Sequence, residues 1–306
     1  MSTRSLRPLV GIDWLRRGIN IGRHNPRAVF GGGALIMGAA LVPSVVQAVL
    51  QGLLRPGEMG TLVLGALLSL AGLVLLMPMV AGYLQVIDAV EHARPTRASA
   101  VFAPFRDTLR FRRIVGFGFA MIAIYVVVFS GLIGLLGDGL MDWAGKLMEL
   151  SQKGPIKDPN LVPQPPPGLG RFLGLGSLLA LFLSGIYAIG LGQVALGTRG
   201  VGAALGDGVA GTAKNFLPLL VLAVLAFGAG LAVMLMASLV FSVILGVGAL
   251  IHPSLGLMLA MPVYLAFLVM LYVVLFAIAY CVWRDVAGED VDADAPPPPP
   301  TTLIAV

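Results

Sequence analysis

Six long apolar stretches alternate along the chain with shorter segments that carry the charge. They cover approximately residues 28–50, 60–86, 114–136, 172–197, 216–247 and 254–283. Each is long enough for a helix to cross roughly 30 Å of hydrocarbon, which takes about 20 residues. The stretches are apolar at successive positions, whereas strands of a membrane barrel alternate apolar and polar residues. The pattern predicts an all-α, polytopic membrane helix bundle with about six transmembrane helices.

Shorter amphipathic segments precede the first, third and fifth stretches. The first carries Ile12, Leu15 and Ile19 at helical spacing, with arginines on its other faces. The second has the same pattern between Ala98 and Leu109, and the third, between Val201 and Thr212, is weaker because it is rich in Gly and Ala. Such spacing is typical of helices that lie at the lipid interface. The sequence therefore predicts three units, each an interfacial helix followed by a transmembrane hairpin.

Two of these units share an asparagine and a proline where the first helix begins, at Asn25-Pro26 and at Asn215 with Pro218. Proline suits the first turn of a helix because its missing N–H is not needed there. The marker favours internal duplication, since repeats in membrane folds can be weak. Any hairpin topology with basic loops on one side would look similar, so both interpretations stay open.

Glycine contributes 40 of the 306 residues and raises two structural questions. The fifth stretch is longer than one crossing needs, so it either tilts or breaks near Gly246 and Gly248. Two Gly-xxx-Gly pairs, one beginning at Gly170 and the other at Gly202, have the spacing that lets helices approach closely. Close helix packing is the default interpretation of both pairs.

Lys and Arg are distributed unevenly between the two sets of loops, with fifteen on the side of the termini and five on the opposite side. Because cytoplasmic loops are enriched in Lys and Arg, this predicts that both termini lie in the cytoplasm, in agreement with an even number of crossings. Only 11% of the residues are charged, against about 25% in soluble domains. No base-stacking aromatic residues are interleaved with the basic ones, so nucleic acid is not an expected partner.

The polar segments divide the chain into a basic amphipathic segment (1–27), a transmembrane domain (28–287) and a tail (288–306). The loop at about 138–171 begins with a short amphipathic pattern and continues with prolines, which predicts an interfacial helix followed by an extended return. The tail is acidic and then runs through five prolines, so we expect it to be disordered. Its proline run could bind a protein that recognises polyproline helices.

Short motifs resemble a family of uncharacterised multi-pass inner-membrane proteins from proteobacteria, described only as a domain of unknown function. The resemblance covers most of the chain up to about residue 288. Its motifs contain Gly11, Trp14, Leu15, Gly18, Asn25 and Pro26, then Phe102, Phe105 and Arg106, then Asn215 and Pro218, and finally Tyr280, Trp283, Arg284 and Asp285. The resemblance implies a helical bundle in a bacterial inner membrane and brings no activity, cofactor or catalytic residue.

The sequence contains no recognisable catalytic or metal-binding motif. Its three histidines are predicted to lie apart, and the single cysteine, Cys281, excludes an intramolecular disulfide. The densest polar group is Asp88, Glu91 and His92 with Arg94, at the end of the second stretch. We interpret it as a solvated helix end, since a charge run alone does not indicate a site. No enzyme activity, cofactor or metal is expected.

The leading functional hypothesis is a non-enzymatic, lipid-interacting or structural module. Arginines of the first two amphipathic segments would contact anionic head groups, each contributing roughly 1 kcal/mol near the surface. These candidate contacts are Arg16, Arg17, Arg23, Arg106, Arg110, Arg112 and Arg113. The alternative is a permease or lipid-handling transporter. The six stretches contain no ionisable carboxylate or basic residue in their interiors, which argues against a proton or sodium pump.

Overall fold

The computed structural model describes residues 3–55, 57–152 and 162–288, and the regular structure in these ranges is helical. The α-helices are α1 (Val10–Asn20), α2 (Pro26–Leu54), α3 (Glu58–Glu91), α4 (Thr108–Leu136), α5 (Leu140–Gln152), α6 (Leu169–Ala195), α7 (Val201–Lys214), α8 (Phe216–Ile251) and α9 (Pro253–Ala287). Six of them, α2, α3, α4, α6, α8 and α9, are long and apolar enough to cross a membrane. The predicted all-α membrane bundle is confirmed.

The long fifth stretch forms one unbroken helix, α8, of 36 residues. At a rise of about 1.5 Å per residue it is roughly 54 Å long, so it extends well beyond the hydrocarbon layer. Gly248 does not break the helix but permits a close approach to the start of α9, since a Cβ there would lie 2.3 Å from the Cα of Gly256. The fifth stretch therefore does not break near Gly246 and Gly248.

The six long helices form three hairpins, α2–α3, α4–α6 and α8–α9, whose partners pack on each other. The second helices of the hairpins, α3, α6 and α9, also contact one another and form the centre of the bundle. Each first helix packs on the central helix of a neighbouring hairpin: α2 on α9, α4 on α3 and α8 on α6. The hairpins therefore follow one another in cyclic order around the three central helices.

The three segments predicted to lie at the interface are helical, and they follow the same cyclic order. α1 packs on α8 and α9, the 3-10 helix Ala98–Arg106 packs on α2 and α3, and α7 packs mainly on α6 and α4. Each segment thus precedes one hairpin in sequence and packs on the previous one in the cycle, so that α1, which precedes the first hairpin, packs on the hairpin α8–α9. This arrangement supports the prediction of three units.

The packed face of α1 differs from its most apolar face. Gly11, Trp14 and Gly18 are buried against the bundle, whereas Ile12 and Ile19 are 45% and 59% exposed. Small residues allow the backbone of α1 to approach α8 and α9, and the larger aliphatic side chains remain available to lipid. The helix is therefore both part of the bundle and apolar on its outer surface.

A Thr-Arg pair lies shortly before each of the three segments in the sequence. The pairs are Thr3-Arg4, Thr96-Arg97 and Thr198-Arg199. Each is held by the first helix of the hairpin on which its segment packs, through hydrogen bonds from Asn215 to the Arg4 carbonyl (2.8 Å), from Asn25 to the Thr96 carbonyl (3.4 Å) and from Arg113 to the Thr198 carbonyl (2.6 Å). The recurrence of this pair is a further sign that the chain is built from three related units.

The closest helix contacts involve glycines other than those in the two Gly-xxx-Gly pairs. A Cβ on Gly82 would lie 2.2 Å from the Val101 carbonyl oxygen, and one on Gly11 would lie 2.5 Å from the Pro218 carbonyl oxygen. The pairs beginning at Gly170 and Gly202 face open space on all four glycines. The prediction that those pairs mark close packing within the bundle is wrong, because spacing alone does not say which way a helix face points.

At the opposite end, α5 forms where the amphipathic pattern predicted a short helix. Its Trp143 indole donates to the Pro163 carbonyl at 2.9 Å, which ties the helix to the start of the return segment. The prolines between residues 153 and 161, and the acidic, proline-rich tail after residue 288, lie outside the described residues. The predictions for them stay predictions.

Candidate functional site at the basic end of the bundle

The end of the bundle at which α1, Ala98–Arg106 and α7 lie is called the basic end here. The first helix of every hairpin begins at this end and the second helix returns to it. The C-terminal ends of α3, α6 and α9 therefore meet at the centre, surrounded by the three short segments. This convergence brings polar residues from distant parts of the chain together.

Four of the seven predicted head-group arginines are exposed. They are Arg16, Arg23, Arg106 and Arg112. No ion pair forms between any of the four and another residue in the described part of the chain. Exposed apolar side chains accompany them, including Ile19 on α1 and Phe105 and Leu109 around the second segment. The basic end thus combines unpaired positive charge with apolar surface.

Arg17 is half-buried and is paired within the protein. Two of its N–H groups donate to the carboxylate of Asp285, which also accepts the indole N–H of Trp14 at 2.8 Å. Burial by itself would lower the pKa of Arg17, but the hydrogen bond and charge of Asp285 outweigh it, and the pKa is raised. This pair joins α1 to the end of α9, which gives Arg17 a structural role.

Arg110 and Arg113 also have neighbours within the chain, a nearby carboxylate for Arg110 and two backbone carbonyls for Arg113. Asp107 caps α4 by accepting the backbone N–H of Arg110 at 3.0 Å, and its carboxylate lies 3.8 Å from the Arg110 Nε. That backbone hydrogen bond lowers the pKa of Asp107, which keeps the cap charged. Arg113 donates to the carbonyls of Thr198 and Arg199. Arg17, Arg110 and Arg113 therefore differ from the four exposed arginines in having partners within the chain, and head-group contact by all seven stays a prediction.

The polar group at the end of α3 converges with residues of α9. The Asp88 carboxylate accepts the Tyr280 hydroxyl at 2.9 Å and pairs with Arg94, and the Nδ1 of His92 lies 3.3 Å from it. Glu91 pairs with Arg284 at 3.7 Å. The interpretation as a merely solvated helix end is incomplete, because the sequence pattern did not reveal the partners on α9.

Glutamine side chains form hydrogen bonds across the other two interfaces between the central helices, α3–α6 and α6–α9. Gln85 of α3 donates to the Ala195 carbonyl at the end of α6, at 2.9 Å. Gln193 of α6 donates to Asp207 at 3.2 Å and to the Ala287 carbonyl at the end of α9, at 3.5 Å. Together with the contacts from α9 to α3, these bonds complete a cycle of polar contacts around the centre.

A cavity of about 690 Å³ lies between these helix ends. Its wall includes Asp88 of α3, Gln193 of α6, and Tyr280 and Trp283 of α9. The Trp283 ring fits against α6 because a Cβ on Gly192 would lie 2.1 Å from the ring. The indole N–H of Trp283 is buried with no hydrogen-bond partner among the described residues.

The polar groups of the cavity wall can hold a polar ligand. In the parts of the chain that the structure covers, His, Cys, Asp and Glu form no group of three or more that could hold a metal ion. Asp88 accepts donors on both of its oxygens. The cavity wall therefore offers charged and hydrogen-bonding groups to a ligand.

The fold and its six apolar helices define an integral, multi-pass α-helical membrane protein. Comparisons of the chain with protein-family models, with curated proteins and with solved structures find no match. The resemblance to the uncharacterised proteobacterial family thus stays a prediction.

Replacing Tyr280 with Phe should lower the free energy of unfolding by about 1.5–3 kcal/mol, the usual contribution of a hydrogen bond to a charged group. The Tyr280 hydroxyl joins α9 to Asp88 of α3, so its loss weakens contact between two central helices. Thermal unfolding in detergent would measure the effect. Tyr272→Phe is the matched control on the same helix, since the Tyr272 hydroxyl makes no hydrogen bond to the described residues. Equal melting temperatures for the two variants would contradict the prediction.

Proposed function

We propose that the protein is a non-enzymatic, multi-pass inner-membrane protein that binds anionic lipid head groups at its basic end. The observation that carries the proposal is the group of four exposed arginines, Arg16, Arg23, Arg106 and Arg112, next to exposed apolar side chains on α1 and the second segment. Apolar side chains enter the acyl boundary while neighbouring arginines reach the head groups, which is how interfacial helices bind anionic membranes. Here those helices are fixed to a transmembrane bundle.

The same distribution of charge favours a cytoplasmic position for the basic end. Positive residues are retained on the cytoplasmic side during insertion, and the anionic lipids of that leaflet attract basic segments close to the membrane. Both termini would then be cytoplasmic. The proposed family resemblance supports the same location and adds no activity.

A quadruple variant, R16Q/R23Q/R106Q/R112Q, should lose most of the enrichment of anionic over zwitterionic lipid around the protein. Each arginine near the surface contributes roughly 1 kcal/mol to the attraction of anionic lipid, so the summed loss of binding free energy is several times the thermal energy. The measurement is reconstitution in nanodiscs of mixed phosphatidylglycerol and phosphatidylcholine, followed by native mass spectrometry of the lipids that remain bound. High salt should weaken the wild-type enrichment, because exposed charges are screened.

The control variant removes exposed basic residues from the opposite end, R55Q/K146Q/R171Q. It should keep the wild-type lipid enrichment. If both variants bind anionic lipid equally well, the basic end is not a lipid-binding surface and the proposal fails.

A lipid-handling transporter is the second candidate, favoured by the cavity that the three central helices share. Proteoliposomes that carry a fluorescent lipid distinguish the two. A transporter would move the lipid between leaflets, whereas a binding module would only enrich it near the protein.

A further inference from the structure

The acceptors at the cavity wall already have donors. Both oxygens of Asp88 are engaged, by Tyr280 and by Arg94. Asp285 accepts two N–H groups of Arg17 and the indole of Trp14. An ionised carboxylate only accepts hydrogen bonds, and the donors already bound to Asp88 and Asp285 offset part of the negative charge at the cavity wall.

The carbonyls at the ends of the central helices are also occupied. Gln85 binds the last carbonyl of α6, and Gln193 binds the Ala287 carbonyl at the end of α9. The Gly288 carbonyl accepts from Arg4 at 3.0 Å. These helix ends would otherwise carry partial negative charge, and the capping donors reduce its influence on the cavity.

Two arginines of the wall have donors to spare. A guanidinium has five N–H donors in a planar fork. Arg94 uses one of them for Asp88, and Arg284 lies 3.7 Å from Glu91. Their side chains remain 58% and 42% exposed, which leaves both forks accessible from the cavity. The unused polar capacity of the wall therefore consists mainly of positively charged donors.

We propose that this cavity binds a phosphate group, with Arg94 of the loop after α3 and Arg284 of α9 as its two principal ligands. Arginine forks match the geometry of phosphate oxygens and bind them through paired, charge-assisted hydrogen bonds. The phosphate belongs either to a lipid head group or to a soluble anion. The site is independent of the surface arginines in the proposed function, because neither ligand is among them.

The test uses the full chain in dodecyl maltoside after removal of bound lipid. Inorganic phosphate is titrated by isothermal calorimetry, and short-chain phosphatidic acid is titrated in parallel. Arg94→Gln and Arg284→Gln should each weaken binding at least about tenfold, which is the loss expected for one charge-assisted hydrogen bond. Arg284→Lys keeps the charge and should retain part of the binding. Arg97→Gln is the matched control, an exposed basic-end arginine outside the cavity wall.

Saturable binding of either probe that depends on Arg94 and Arg284, but not on Arg97, supports the proposal. Binding of inorganic phosphate identifies recognition of the bare anion, and binding of phosphatidic acid alone identifies a lipid head group. No saturable binding of either probe to the wild type overturns it, as does unchanged binding by both Gln variants. The quadruple surface variant should keep this site, so the two proposals can fail separately.

Discussion

Gly82→Ala should lower the melting temperature by about 5–10 °C, as expected for a loss of roughly 2–3 kcal/mol. The new Cβ would lie 2.2 Å from the carbonyl oxygen and 2.7 Å from the carbonyl carbon of Val101. Both are backbone atoms of the 3-10 segment, so they cannot move aside as a side-chain tip could. The helix propensity of Ala, favourable by up to about 1 kcal/mol over Gly, is too small to offset this contact. Differential scanning fluorimetry in detergent measures the change.

Gly38→Ala is the control, because Gly38 lies inside the neighbouring helix α2 and a Cβ added there would have no atom within 4 Å. This variant should melt at the wild-type temperature or slightly above it. If Gly82→Ala is as stable as Gly38→Ala, the second short segment does not pack on α3 as described, and the cyclic arrangement is wrong at that contact.

The membrane-spanning helices could be predicted from the sequence because their cause is local. A continuous apolar stretch in lipid must form a helix, because no water is present to bond the backbone polar groups and the helix pairs them internally. This requirement does not depend on what the helix packs against. The predicted fourth stretch, 172–197, corresponds to α6, Leu169–Ala195, within a few residues. The amphipathic patterns also located α1 and α7. The second segment differs from the predicted pattern, because it is a 3-10 helix, Ala98–Arg106, with Pro104 inside it.

The candidate site could be predicted only in part, because its residues meet through the cyclic order of the hairpins. Asp88 and Tyr280 are 192 positions apart, and no local pattern pairs them. Which of the candidate arginines have partners within the chain could not be predicted, because the partners are distant in sequence. Arg16 and Arg17 are adjacent, but only Arg17 lies on the side of α1 that faces Asp285. The repeated Thr-Arg pairs are a further sequence signal of threefold construction, in addition to the amphipathic segments and the shared Asn and Pro positions.

Asn215→Ala should lower the free energy of unfolding by about 1–3 kcal/mol, because it removes a buried side chain that bonds two part-buried backbone groups. Asn215 is fully buried. Its side chain accepts the Leu6 N–H and donates to the Arg4 carbonyl, both at 2.8 Å. These bonds hold the start of the chain against α8, which in turn places α1. We expect a lower melting temperature and faster hydrogen exchange of the Leu6 amide.

Asn25→Ala is the informative comparison, since Asn25 occupies the related position at the start of α2. It caps that helix through Ala28 at 3.1 Å and reaches the Thr96 carbonyl only at 3.4 Å, and it is only half-buried. Loss of a helix cap usually costs about 1 kcal/mol, so this variant should be the more stable of the two. An Asn215→Ala protein as stable as Asn25→Ala, with Leu6 still protected from exchange, would show that the N-terminal chain is held by α1 itself. The buried asparagine would then be a local cap, and the closure of the three-unit cycle would rest on the packing of Gly11 and Gly18.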